Sequence, residues 1–183
     1  MGKRKKWSTL DVVRHARHDW LNDLQLIKTN LSLGRTDRVE EIIAAIVQSS
    51  RHESHLMNIN VPELAEFLIT YNWLKYPIVL SVEVTGQVKD LSKIEAPLLH
   101  CCESLIALLN EAVDPLSENK LTLTIFNEEA VTMLTFTLEG TLLHRDQFSG
   151  ALTEWQAHKK WRVIESYVHP TESVINVELQ AHM

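Results

Sequence analysis

Apolar residues recur at alternating steps of three and four along the first part of the chain, which is typical of a helix with one apolar seam. The series comprises Leu10, Val13, Trp20, Leu24, Ile27 and Leu31. Only Arg17 interrupts it, and Gly34 follows as a helix stop. The pattern therefore predicts a long helix from about Ser8 to Leu33.

A second helix is predicted directly after this stop. Thr36 or Asp37 can cap it, and it runs to about Met57. Its apolar face carries Val39, Ile42, Ile43, Ile46 and Val47. Two antiparallel helices cannot enclose both apolar faces, so we expect the hairpin to pair with a second copy of itself as a dimeric four-helix bundle.

Beyond the hairpin the pattern of apolar residues changes. Pro62 opens a helix predicted to run to about residue 75, and an apolar helix is predicted near residues 94–113. Strands are predicted over residues 78–84, 121–126, 131–138, 162–168 and 173–179. Helices that alternate with mostly antiparallel strands favour an α/β sandwich. We therefore predict an α+β chain with a basic tail over residues 1–7, the hairpin over 8–58 and the sandwich over 62–183.

Charge and composition argue against several classes of protein. The 183 residues carry a formal charge of -6, which argues against a nucleic-acid partner. The basic run at residues 3–6 is interpreted as a solvated tail. No apolar stretch is long enough to span a bilayer and no signal region follows the basic start, so we expect no membrane partner and a cytoplasmic location. The adjacent Cys101 and Cys102 are expected to be reduced and buried.

The segment at residues 17–22 places a histidine beside the apolar seam. Because Arg17 occupies the seam, His18 lies one step off it and is expected to face solvent. An exposed imidazole, with an ordinary pKa of about 6.5, is largely neutral in the cytoplasm and offers a nucleophilic nitrogen. Asp19 lies one helical step away and is expected to orient the imidazole. We therefore predict His18 as the catalytic residue.

Polar side chains share this exposed stripe. Arg14 and Asn22 lie four residues before and after His18, and His15 lies three before it. A cation, an imidazole and an amide together suit a phosphorylated ligand. The residues predicted to bind the partner are Arg14, His15, Arg17, Asn22 and Gln25. Arg17 has a second interpretation, because folding back about Gly34 would set it opposite Glu53 as an ion pair inside the bundle.

The run from Arg17 to Lys28, continued by Asn30-Leu31-Ser32-Leu33, resembles the phospho-accepting helix of the sporulation initiation phosphotransferase B family. Further matching segments are His52-Glu53-Ser54, Asp90-Leu91-Ser92 and Glu118-Asn119. The resemblance implies a phosphorelay enzyme of sporulation initiation, related to the dimeric histidine kinases. Such an enzyme takes a phosphoryl group from the aspartate of a single-domain response regulator onto a histidine, which His18 matches. It then passes the group to the aspartate of a transcription-factor regulator.

This chemistry requires little from the chain itself. An aspartyl phosphate is already activated, and we expect the Mg²⁺ that neutralises its oxygens to be bound by the regulator. No cofactor or metal of the chain's own is therefore expected. The spacing of His52 and His55 is not that of a metalloprotease site, which agrees with this expectation.

The second region faintly resembles the ATPase domain of histidine kinases. Residues 109–113, with Asn110, resemble a remnant of the asparagine-bearing helix of that domain. Leu138-Glu139-Gly140 resembles a remnant of its first glycine-rich loop. The five glycines include no Gly-x-Gly pair, although close approach of backbone amides to phosphates requires glycine. We therefore expect a degenerate domain without nucleotide-binding loops and no ATP-dependent kinase activity. The alternative function is a non-catalytic dimeric adaptor that docks response regulators or kinases.

Overall fold

The computed structural model describes residues 7–128, 131–157 and 160–180. Residues 1–6 of the predicted basic tail lie outside the described residues. The chain divides into two compact units, residues 1–50 and 51–183. A helical hairpin comes first, followed by a five-stranded mixed sheet with its helices. The α+β class, with the hairpin before the sheet, is confirmed.

Both ends of the first helix, α1 (Thr9–Ser32), are fixed by local hydrogen bonds. At the start, the Asp11 amide donates to Ser8 Oγ (3.2 Å) and the Ser8 amide donates to Asp11 Oδ2 (3.3 Å), which forms a capping box. At the end, the amides of Gly34 and Arg35 donate to the carbonyls of Leu31 and Asn30, both at 3.0 Å. Gly34 has φ +69° there, the left-handed conformation of a Schellman turn.

The second helix, α2 (Thr36–Asn58), follows at once. It already includes Thr36 and Asp37 in its first turn, so the prediction that one of them precedes and caps it is wrong by one or two residues. Within the hairpin, Val39 and Ile42 are buried, whereas seven apolar residues of the two predicted faces are at least 44% exposed. The exposed set from the two predicted faces comprises Leu10, Val13, Trp20, Leu24, Leu31, Ile43 and Val47. A single chain therefore leaves much of its apolar surface open.

The second unit follows the predicted order with one addition. Its helices are α3 (Pro62–Thr70), α4 (Glu95–Ala112) and α5 (Arg145–Gln156). Its strands are β1 (Ile78–Gly86), β2 (Asn119–Asn127), β3 (Val131–Glu139), β4 (Arg162–Val168) and β5 (Glu172–Gln180). The strand order is β1-β2-β3-β5-β4, with β1 parallel to β2 and every other pair antiparallel.

The core of this unit lies between the helices and one face of the sheet. Alternate residues of the central strands are buried, such as Leu121 and Leu123 on β2 and Leu134 and Phe136 on β3. Helix α4 adds Leu98, Leu105, Ile106 and Leu109 to the same apolar cluster. Cys101 and Cys102 are free and buried within α4, and burial raises the pKa of both thiols.

Helix α3 is shorter than predicted and α5 was not predicted. The sequence analysis extended α3 to about residue 75, but it ends at Thr70 and a 3-10 turn, Tyr71–Trp73, follows. Helix α5 buries Phe148, Leu152 and Trp155, which are spaced four and three residues apart. Gly150 and the polar residues between them obscure this short apolar stripe in the sequence.

Side chains satisfy backbone groups along the outer edge of β1, the first strand in the order of the described sheet. The Asn72 amide donates to the Leu80 carbonyl (2.7 Å), and the Leu80 amide donates back to Asn72 Oδ1 (2.9 Å). The Val84 amide donates to His52 Nδ1 (3.2 Å). These contacts explain why α3 ends early, since the turn carries Asn72 to the strand. They also cover an edge that would otherwise be open to another strand.

The Asn72 contact provides a test of this edge. Substitution Asn72→Ala leaves the amide and carbonyl of the buried Leu80 without these two partners. We expect the free energy of unfolding to fall by about 1 to 3 kcal/mol, measured by urea titration. The matched control is Gln87→Ala in the same unit, because its side chain is exposed and should change stability by no more than about 0.5 kcal/mol. Equal stability of the two variants would contradict the edge role.

Candidate functional site

His18 lies near the middle of α1, and 71% of its side chain is exposed. Both described contacts of its imidazole involve Nδ1. Asn22 Nδ2 lies 3.1 Å from this atom and Asp19 Oδ1 lies 3.5 Å from it. The two neighbours therefore gather at one ring nitrogen, and Nε2 is the nitrogen left to meet a reacting group.

The helix period explains this arrangement. Asn22 is four residues after His18 and so lies above it on the same face. Asp19 is the adjacent residue, about 100° further around the helix, and reaches the imidazole only at the outer limit of a hydrogen bond. The sequence analysis assigned Asn22 to the partner-binding surface. The structure places its side chain beside the imidazole of His18 as well.

Arg14 is held by a residue that the sequence analysis did not single out. Its Nη1 donates to Asp11 Oδ1 at 3.3 Å, and Asp11 is also the residue that closes the capping box. The Arg14 side chain is 76% exposed, so this pair contributes little stability. An anionic ligand can therefore replace Asp11 at low cost. The signal in the sequence was Ser8 followed three residues later by an acidic residue.

The other predicted partner-binding residues differ in their surroundings. His15 is only partly exposed, because Trp7 packs edge-on against its ring with centroids 5.1 Å apart. Arg17 and Gln25 are exposed on α1. The pairing of Arg17 with Glu53 stays a prediction. The structure thus brings Asp19 and Asn22 to His18 directly and leaves Arg14, Arg17 and Gln25 exposed on the same helix.

The two segments that resemble remnants of a kinase nucleotide site, around Asn110 and Gly140, contact other residues of the second unit. Asn110 Nδ2 donates to Tyr71 Oη (2.8 Å), and the Tyr71 hydroxyl lies 3.0 Å from Asn110 Oδ1. Tyr71 is buried, which raises its pKa to about 12. At Gly140, an added Cβ would lie 2.4 Å from Asn119 Oδ1. Asn110 therefore anchors a tyrosine, and Gly140 makes room for a buried asparagine.

No group of three or more His, Cys, Asp or Glu side chains within residues 7–128, 131–157 and 160–180 is arranged to hold a metal ion. The helices of these same ranges include none with the length and apolar character to cross a bilayer.

Comparison with known proteins identifies two family models along the chain. Residues 3–59 match the helical domain described as "Sensor_kinase_SpoOB-type, alpha-helical domain". Residues 60–180 match "Sporulation initiation phospho-transferase B, C-terminal". The chain is also 43% identical, over 116 residues, to sporulation initiation phosphotransferase B of Bacillus subtilis (strain 168). That alignment covers 63% of this chain and spans 60% of the relative's length.

Solved structures with partial similarity include two histidine kinases. Acinetobacter baumannii histidine kinase AdeS is 13% identical with a TM-score of 0.45, covering 91% of this chain and 98% of that one. The Erythrobacter litoralis EL346 blue-light activated histidine kinase is 12% identical with a TM-score of 0.46, covering 98% of this chain and 62% of that one.

The family models cover the chain from the helix that carries His18 to the last described strand. The chain belongs to the sporulation initiation phosphotransferase B family.

Proposed function

We propose that the chain is a histidine phosphotransferase of the sporulation phosphorelay. It accepts a phosphoryl group on His18 from the aspartate of a single-domain response regulator. It then passes the group to the aspartate of a second regulator, a transcription factor. The observation that carries the proposal is the exposed imidazole of His18, with its Nδ1 beside Asn22 and Asp19 and its Nε2 left to react.

Phosphoryl transfer requires the chain to supply a nucleophile and a surface that binds the regulator. The phosphoryl donor is already activated, and Mg²⁺ bound by the regulator would neutralise the oxygens of the phosphoryl group. The chain then contributes mainly the position of one imidazole nitrogen in line with the phosphorus atom. Since His18 exchanges the phosphoryl group with the aspartate of either regulator, the same histidine serves transfer in both directions. We place this relay in the cytoplasm.

The surface around His18 supports contact with an anionic, phosphorylated partner. Arg14 and Arg17 are exposed on α1, and the ion pair that holds Arg14 is weak. We infer that these two cations, with His15, Asn22 and Gln25, form the contact surface for both regulators. One surface for two regulators requires that they present the same aspartate-centred face.

We infer that the working molecule is a homodimer. The hairpin leaves Leu10, Trp20 and Leu24 exposed by 75%, 65% and 52%. Exposed apolar residues that recur along one helix face mark an interaction site, and a second hairpin offers the complementary seam. The resulting four-helix bundle would place His18 just beside its seam in each subunit.

The first test replaces the nucleophile. We expect His18→Gln to abolish phosphoryl acceptance from a phosphorylated single-domain regulator, because the amide lacks a nucleophilic nitrogen. Stability should change by no more than about 0.5 kcal/mol at this exposed position. Acceptance is measured as protein-bound label that is acid-labile and alkali-stable. His144→Gln, an exposed histidine of the second unit, is the matched control and should label at the native rate.

Two outcomes would contradict the proposal. Equal labelling of the His18→Gln chain would place the phosphoryl group elsewhere. Tight binding of the regulators by a native chain that never takes up label would favour the adaptor, since docking would then proceed without phosphoryl transfer.

The dimer is tested by a pair of leucines on α1 with similar exposure. Leu24 lies on the seam and Leu26 lies off it, and they are 52% and 48% exposed. We expect Leu24→Glu to shift the chain from dimer to monomer in sedimentation velocity, because it places a charge in an apolar contact. Leu26→Glu should leave the dimer intact. The same sedimentation coefficient for both variants would refute the predicted seam.

The last test in this group concerns ATP. The proposal assigns the phosphoryl group to a regulator as its source, so label supplied as ATP with Mg²⁺ should not appear on His18. Calorimetric titration with Mg-ATP should likewise show no saturable binding in the micromolar range. Label incorporated from ATP alone would show that the chain is a kinase and would contradict this expectation. The structural basis for the expectation is Asn110, whose amide is engaged by Tyr71.

A further inference from the structure

Arg14 and Asp11 form an ion pair on α1, about one and two turns before His18. Arg14 lies four residues before His18, so the two side chains share a face and their Cβ atoms are about 5–6 Å apart. Helical side chains lean toward the N-terminus of their helix, so the imidazole leans over the turn that carries Arg14. A group bound to that ring is therefore within reach of the long, flexible arginine side chain.

The contact that holds Arg14 is weak. Its Nη1 lies 3.3 Å from Asp11 Oδ1, farther than the about 2.7–2.9 Å of a typical charge-assisted hydrogen bond. The two side chains are 76% and 37% exposed, so water and salt screen their attraction. Among the described contacts, this is one hydrogen bond from a guanidinium group that has five N–H donors. The pair restrains the cation but leaves most of its donors to another ligand.

Asp11 does not depend on Arg14 for its own hydrogen bonds. Its Oδ2 accepts from the Ser8 hydroxyl at 2.6 Å and from the Ser8 amide at 3.3 Å, within the capping box. The positive end of the helix dipole also favours a carboxylate in the first turn. Departure of Arg14 therefore leaves the Asp11 carboxylate with partners. The cation can exchange its ligand while the start of the helix stays intact.

A phosphoryl group on Nε2 of His18 offers Arg14 a better ligand. It presents three oxygens with negative charge, and the planar guanidinium can donate two parallel hydrogen bonds to them. We propose that Arg14 is a catalytic residue that leaves Asp11 and binds the oxygens of the phosphoryl group on His18, while Asp11 competes for the same cation. This inference rests on the proposed function, because it takes His18 as the phosphoryl acceptor. It assigns Arg14 to the transferred group itself, beyond a contact with the regulator's surface.

The transfer step balances without a proton from Arg14. The Nε2 lone pair forms the N–P bond, the P–O bond to the regulator's aspartate breaks, and its electron pair leaves with the carboxylate. The guanidinium stays protonated throughout. It exchanges one carboxylate oxygen of Asp11 for the phosphoryl oxygens and takes no part in the covalent change.

This cation matters most between the two transfers. While a regulator is docked, the Mg²⁺ that it binds would neutralise the phosphoryl oxygens. After the first regulator has left and before the second arrives, the phosphoryl group on His18 depends on charges of the chain itself. Arg14 supplies a positive charge within reach of that group. Because Asp11 competes for Arg14, the phosphoryl group is held less tightly than by an unpaired cation, which favours its passage to the second regulator.

The experiment uses the full chain without any regulator. Phosphoramidate, a small phosphodonor, is equilibrated with the chain in the presence of ammonium, the other product, and phosphorus NMR measures the phosphorylated fraction of His18. We expect Arg14→Gln to lower the equilibrium constant for phosphorylation about threefold, the factor that one exposed charge pair provides. Lys28→Gln is the matched control, because it removes another exposed cation of α1 and should leave the constant unchanged.

Substitution Asp11→Asn tests the competition. It removes the competing charge and keeps a side-chain oxygen that can accept from Ser8. We expect the equilibrium constant to rise about twofold, and the rise to disappear when Arg14→Gln is also present. Asp11 lies about 10 Å along the helix from His18, a distance similar to the screening length at 0.1 M salt, so its own repulsion of the phosphoryl group is small. A rise that requires Arg14 therefore reports the exchange of ligands.

Two results would overturn the inference: equal constants for the native chain and Arg14→Gln, or a rise in Asp11→Asn that persists in the double variant. Equal constants, together with slower transfer from a phosphorylated regulator in Arg14→Gln, would assign Arg14 to docking and leave the proposed function standing. A native chain in which neither donor phosphorylates His18 would refute the proposed function, and the inference with it. The failures of the two proposals are therefore distinguishable.

Discussion

The helical repeat of α1 couples two properties of the chain that would otherwise be independent. The seam residues recur at steps of three and four, so the direction of every other side chain on the helix is fixed relative to them. His18 follows Arg17, a seam position, and therefore lies at the border between apolar and polar surface. The same constraint places Asn22 above His18, because four residues complete slightly more than one turn.

The capping box and the Schellman turn preserve this register at both ends of α1. An exposed helix has few tertiary contacts to hold it, and local hydrogen bonds at its termini then matter more. Asp11 links the two roles, since it closes the cap with Ser8 and also holds Arg14. The start of the helix and the contact of Arg14 thus both involve one carboxylate.

The second unit is stabilised differently. Its buried apolar cluster, which includes Leu121, Phe136 and Leu98, lies between the sheet and its helices. Several polar groups at its margins are satisfied by side chains of the unit itself. Asn72 and His52 cover backbone groups of β1, and Asn119 donates to the carbonyls of Asp114 and Ser117. In this unit, the side chains of Asn72 and Asn119 form hydrogen bonds with backbone groups at the edges of the fold.

Much of the fold could be predicted from the sequence, because hydrophobic periodicity reports directly on α1, α2, α4 and all five strands. The errors occur where side chains override that signal. Helix α3 ends at Thr70 because Asn72 turns to bind Leu80, a contact between residues eight apart that periodicity does not contain. Helix α5 was missed because only Phe148, Leu152 and Trp155 mark its buried side. The parallel pairing of β1 with β2 is likewise a property of the whole sheet.

The candidate site shows the same division between period and side-chain geometry. The sequence predicted which residues share a face with His18, because that depends on helical spacing alone. It did not predict that Trp7 packs on His15, or that Asn22 and Asp19 converge on a single ring nitrogen. These depend on side-chain conformation, which spacing does not determine. The consequence is chemical, because two neighbours at Nδ1 and none at Nε2 among the described contacts make the two nitrogens inequivalent.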